Sequence, residues 1–119
     1  MTMGNQGSTS HACSTDRIRE LNDILRKRNE GGRVHFTPGI ADLPMLTIGR
    51  IWMAVREFDD FTSGNDSHGE HDFGCVVVDD HEVFWKIDYY GVDLDSASPD
   101  PSDWTVTCRV MTVMLASEY

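Results

Sequence analysis

The runs DFGCVVVD and EVFWKIDYY, separated by the short polar stretch from Asp79 to Glu82, restrict the fold more than any other feature of the chain. Both are dense in β-branched and aromatic side chains, which pack well on a pleated surface and lose rotamer freedom in a helix. Two such runs joined by so few residues pair as an antiparallel hairpin. With Asp80-His81 as the two-residue turn, Val78 faces Val83, Val76 faces Trp85, Gly74 faces Ile87 and Asp72 faces Tyr89, a mostly apolar side suited to the core. The opposite side pairs Val77 with Phe84, Cys75 with Lys86, Phe73 with Asp88 and His71 with Tyr90, a mixture suited to exposure or function.

Around this hairpin the other elements follow from periodicity and punctuation. Ser14 or Thr15 is placed to cap a helix running to about Asn29, with Ile18, Leu21 and Leu25, and Ile24 beside them, as its apolar stripe and Gly31-Gly32 as its stop. RVHFT at 33–37 reads as a short strand closed by Pro38-Gly39. A second helix is expected from Asp42 as cap, with Pro44 in its first turn, carrying Ile48, Ile51, Trp52, Val55 and Phe58 to about Phe61. GVDLDSASPDPSD is a loop by composition; its aspartates lack the order of a calcium loop. Beyond it, Val106, Val110, Val113 and Met114 fit a helix to about Ser117, whereas the β-branched run TVTCRVMTV fits a strand, so residues 104–116 stay open between the two.

The expected order is therefore α-β-α-β-β-α: an α+β fold with a small, three-stranded, mainly antiparallel sheet packed with three helices. Residues 1–13, without periodic apolar pattern, are expected to be a mobile tail, and residues 14–119 a single α+β domain.

Charge narrows the function classes. The net charge of −10 is unevenly spread: residues 1–40 carry six Arg or Lys against four Asp or Glu, and residues 41–119 carry four against sixteen. Such a body repels phosphate, and the only basic cluster is Arg26, Lys27, Arg28 and Arg33, so direct nucleic-acid binding is not expected. Cations at 26–28 are expected to offset the dipole of the first helix. Apolar runs such as CVVV fall far short of the roughly 20 residues that span a bilayer, and no signal-peptide pattern is seen. Three cysteines without close pairing suit a reducing cytoplasm.

The stretch GNDSHGEHDFG, residues 64–74, is the one candidate site. His68, Glu70, His71 and Asp72 are chemically able ligands for a divalent metal such as zinc, but their spacing is not that of the HExxH zinc motif. In the expected hairpin register His71, Asp88 and Tyr90 share a face, the ingredients of a general base with an orienting carboxylate, and Lys86 sits where it could lower the Cys75 thiol. Against both stands an architectural reading. Gly64-Asn65-Asp66 is turn chemistry, Gly69 permits an unusual backbone angle, and Gly74 makes room for Trp85 or Ile87.

FDDF, ND, GEHDFG, WKIDYY, SPDP and MLASEY occur here in that order. Together they resemble a bacterial family of unknown function, DUF3768, over about residues 17–119. The resemblance implies a host among alphaproteobacteria and a setting on plasmids or other mobile DNA, and brings no activity with it. Ser67-His68 stands where relatives usually carry a proline after the ND pair, which weighs against a family role for His68.

Two functions are thus expected to compete. The first is a non-enzymatic cytoplasmic accessory protein that binds a protein partner, with no cofactor. Its sharpest version is a DNA mimic acting on host defence, which would need the sixteen carboxylates of the body on one continuous surface. A homodimer is one arrangement, since the basic first helix complements the acidic body. The second is a small metal-dependent or His-based hydrolase centred on His71.

Overall fold

The computed structural model describes residues 3–119, with side chains described from Ser14 onward. Residues 1 and 2 and the side chains of 3–13 lie outside that description, and the expected mobile tail over residues 1–13 falls on them. Helix α1 (Met3–Arg28) is already under way at Ser14, so neither Ser14 nor Thr15 opens it. Among its described side chains the buried ones are Ile18, Asn22, Leu25 and Arg26, a helical stripe rotated from the expected Leu21 and Ile24 edge onto two polar residues. Asn29, at φ 55°, ends the helix by donating its amide to the Leu25 carbonyl at 2.8 Å.

Strand β1 (Arg33–Phe36) leads into a single helical turn, α2 (Pro38–Ala41), and then α3 (Met45–Glu57). The expected second helix is thus split. Asp42 closes α2 rather than opening a helix, and Pro44 sits at the N-cap of α3 with the extended ψ of 144° usual for a residue just outside the helix. α3 stops at Glu57, short of Phe61, which frees Phe58 and Phe61 to turn back edge-on against Trp85 at 5.7 and 6.2 Å.

The sheet has four strands, not three, in the order β1-β4-β3-β2, with β2 (Phe73–Val78), β3 (His81–Tyr90) and β4 (Cys108–Leu115). β1 runs parallel to β4 and the remaining pairs are antiparallel, so the sheet is mixed. The fourth strand is the segment that stood open between helix and strand. Its Arg109, Met111 and Val113 are buried at a period of two, opposite Tyr89, Ile87 and Trp85, and alternation with β-branched residues wins over the coincidental helical spacing.

The hairpin is confirmed with its register moved by two. Val78 pairs with His81, and Asp79 and Asp80, at φ 50° and 67°, form the turn that right-handed strand twist favours. A shift of two preserves the faces, so Val83, Trp85 and Ile87 still enter the core, joined there by Leu25 from α1, Ile40 from α2 and Ile51 and Val55 from α3. It also sets Gly74 opposite Trp85, where a Cβ on Gly74 would lie 2.6 and 2.7 Å from indole carbons. On the other face Phe73, Phe84 and Tyr119 form a ring cluster.

Candidate functional site

The loop that joins α3 to β2 is tied to α1 almost residue by residue. Gly69, at φ 70°, turns its carbonyl to Arg19 Nη1 at 3.0 Å, and the Glu70 carbonyl accepts from Asn22 Nδ2 at 3.0 Å. The same Asn22 amide donates to the Tyr89 hydroxyl at 2.8 Å, and that hydroxyl donates to Glu70 Oε1 at 2.7 Å. Asn22 Oδ1 accepts from Arg109 Nε at 2.6 Å, while the guanidinium lies 5.0 Å from the Tyr89 ring centre and reaches the Pro101 carbonyl. Burial pulls Arg109 below the usual arginine value and pushes the Tyr89 hydroxyl well up, which keeps Tyr89 neutral and able to donate to Glu70.

His71 sits at φ 56°, which takes it out of the strand that begins two residues later. Its ring stacks on Phe61 with centroids 3.7 Å apart, Nδ1 lies 2.9 Å from Asp23 Oδ1, and Nε2 lies 3.7 Å from Asp66 Oδ2. Asp66 also accepts from the His71 amide at 3.1 Å. Among the described residues the side chains that bond to this imidazole are carboxylates, with no hydroxyl or thiol to activate.

The structure does not bring His71, Asp88 and Tyr90 together. Asp88 is bonded to Lys86 Nζ at 2.6 Å on the sheet face opposite the helices, whereas His71 packs on the helix side, and Tyr90 faces solvent across from Cys108. The left-handed backbone at His71 is the reason, since the expected pairing needs an extended residue there.

Nor do the four candidate metal ligands converge. His68 is exposed, the Glu70 carboxylate is taken by Tyr89 and the His71 ring by Asp23, while the main-chain carbonyl of Asp72 continues the ladder by accepting from the Ile87 amide at 2.9 Å. Among the described residues no three His, Cys, Asp or Glu side chains are grouped to hold a metal ion. Burial, and then the Glu70 carboxylate, push the Asp72 carboxyl above its ordinary range. Cys75 also departs from expectation. The shifted register sets Phe84 rather than Lys86 opposite it, the thiol reaches Glu82 Oε2 at 3.9 Å, and burial followed by that carboxylate pushes the thiol up.

Sequence reasoning missed Asn22, Asp23, Arg26, Phe61 and Arg109. Asn22 and Arg26 carried a signal, since they follow Ile18 at steps of four along the apolar stripe. Arg26 pairs with Asp23 of its own helix at 3.3 Å and also crosses to α3. It donates to the carbonyls of Val55, Arg56 and Phe58 at 2.9, 3.2 and 2.8 Å, closing α3, while Arg56 donates to Lys27 O at 2.8 Å and closes α1.

A second feature lies on the far side of α3. Met45, Leu46 and Met53 project into solvent there, next to Val77 at the sheet edge, around a groove of about 620 Å³. Among the described residues no helix is long and apolar enough to cross a membrane.

No curated protein and no solved structure matches the chain. A family model matches residues 36–118, a narrower span than the motifs implied, which begins after α1 and so leaves Asn22, Asp23 and Arg26 outside it. On that match the chain belongs to the family described as "Protein of unknown function (DUF3768)".

Proposed function

We propose that this chain is a non-catalytic binding protein of the cytoplasm whose recognition surface is the outer face of α3 with strand β2. One observation carries the reading: Met45, Leu46, Met53 and Val77 are 86%, 76%, 49% and 70% exposed and share one groove. Large apolar side chains scattered singly need no explanation, whereas a contiguous group rimmed by polar residues marks an interaction site. Methionine suits such a surface, since its flexible thioether adapts to a partner's shape.

The loop 64–74 supports the same reading from the other direction. Glu70 bonds to Tyr89 of the hairpin and His71 to Asp23 of α1, while Asp66 holds the His71 amide within the loop. Four of the sixteen carboxylates of the body also have local duties here: Asp79 to Arg50, Asp88 to Lys86, Asp103 to Thr105 and Glu118 to Thr37. That use favours an apolar recognition surface over an acidic phosphate mimic.

A photo-crosslinking amino acid placed at Met53 in the native host tests the proposal, with Trp104, exposed elsewhere, as control position. A discrete adduct at position 53 that is absent at 104 and lost in Leu46→Lys is expected. The same adducts at both positions, or none at 53, would overturn it.

A further inference from the structure

Resting on that surface, we propose that β2 takes up an extended segment of a partner as a fifth strand, the segment being apolar at alternate positions and basic at both ends.

The hairpin register decides which way the backbone of β2 points. Val78 and His81 close the two-residue turn, and the Ile87 amide donates to the Asp72 carbonyl at 2.9 Å. Hydrogen-bonded pairs alternate in an antiparallel ladder, so Asp72, Gly74, Val76 and Val78 turn their backbone groups to β3. Phe73, Cys75 and Val77 turn theirs outward, where among the described residues no strand pairs with them.

Proteins blunt such edges with lysine, proline or a bulge. FGCVVV contains no proline and no charge, and it pairs with β3 residue for residue without a bulge. The groove of about 620 Å³ is bounded by Leu46, Gly49 and Met53 on one side and Val77 on the other, so it runs where the side chains of an added strand would fall. At Gly49 nothing lies within 4 Å of the position a Cβ would take, so the helix wall recedes there.

Charge selects the occupant. Asp72 precedes the strand, Asp79 and Asp80 follow it, and Glu57 lines the groove; Arg50 answers only Asp79. Antiparallel pairing with a second copy would bring the acidic end of one β2 against the acidic end of the other, on chains of net charge −10. A segment with Lys or Arg at both ends meets the opposite sign at each end.

The test titrates the full chain with the synthetic peptide KKVTVTVKK, its proline analogue KKVPVPVKK, and a stapled amphipathic helical peptide of equal charge. Amide exchange is read residue by residue. The expected result is saturable binding of the first peptide, slowed exchange at the Phe73, Cys75 and Val77 amides, and no binding of the proline analogue. Val77→Pro removes an outward amide that the internal ladder does not use, and Gly49→Leu puts bulk into the groove from a position whose Cβ has open space. Each should weaken binding about tenfold or more. Binding of the helical peptide with the edge amides unprotected would overturn strand addition while leaving the surface as a docking site. Failure of both peptides at millimolar concentration would overturn strand addition and count against the surface itself. Edge protection that rises with protein concentration alone would show a second copy as the occupant and overturn the basic partner.

Discussion

Asn22→Leu tests how the loop 64–74 is held. The substitution keeps the size of the side chain and deletes three hydrogen bonds: from Arg109 Nε at 2.6 Å, to the Glu70 carbonyl at 3.0 Å and to the Tyr89 hydroxyl at 2.8 Å. Tyr89 retains the Glu70 carboxylate, so two groups are orphaned, the Glu70 carbonyl and the Nε–H of a fully buried guanidinium. A buried neutral group left unpaired costs about 1–3 kcal/mol and a charged one more, while the added apolar surface of leucine returns about 1–2 kcal/mol. The net expectation is a loss of about 3 kcal/mol, a large share of the roughly 5–15 kcal/mol that holds a domain of this kind. Urea unfolding followed by tryptophan fluorescence measures the loss, and amide exchange locates it. Exchange should accelerate at Gly69, Glu70 and His71 before it does in β4. A loss below about 1 kcal/mol, or exchange unchanged in the loop, would refute the view that α1 holds this stretch in place.

Four further perturbations follow from particular contacts. Gly74→Ala places a methyl 2.6 Å from an indole that has nowhere to move, and should cost about 2–3 kcal/mol; the cost should shrink in a Trp85→Phe background, and equal cost in both would exclude Trp85 as the cause. Gly49→Ala, inside α3 with open space at its Cβ, should raise stability by about 1 kcal/mol in thermal unfolding. The Asp72 carboxyl is raised above its ordinary 3.8 by burial, so its ionised form opposes folding. Asp72→Asn should therefore stabilise at neutral pH, and a stability–pH titration should show the gain shrinking as pH falls through the folded value and vanishing below 3.8. Glu118 accepts from Thr37, Gly39 and Leu115, the Thr37 hydroxyl first among them in holding its carboxyl below the ordinary 4.5. Its contribution is present above 4.5 and lost as pH falls through the depressed folded value, so Glu118→Gln should flatten the acid limb of the stability curve.

The hairpin was legible because β-branched and aromatic residues leave few alternatives, and its faces were right because an error of two in register leaves the side-chain period intact. The partners were not legible. Choosing Asp79-Asp80 over Asp80-His81 requires knowing that both aspartates accept left-handed backbone, which sequence alone does not force. The strand at 108–115 was obscured because its valines also match a helical spacing, and its partners settle the matter, β3 on one side and on the other β1, seventy-seven positions away at Arg33 and Val110. The architectural reading of GEHDFG was legible in its glycines, and Gly74 does meet Trp85. The roles of its acids and of His71 were not, since their partners Asn22, Asp23 and Tyr89 come from elements remote in sequence. The α3 surface was hidden for a related reason: the sequence does not show that Val77, on an edge strand remote in sequence, lies beside Leu46 and Met53.

The most direct test sets the two candidate sites against each other in one experiment. Partner retention from the native host is measured for tagged wild type, for His71→Ala and for the double variant Leu46→Lys with Met53→Lys, each shown to be folded by circular dichroism. Retention by wild type and His71→Ala, with loss in the double variant, is the predicted result. Retention by the double variant together with loss in His71→Ala would contradict it and return the search for function to the loop around His71.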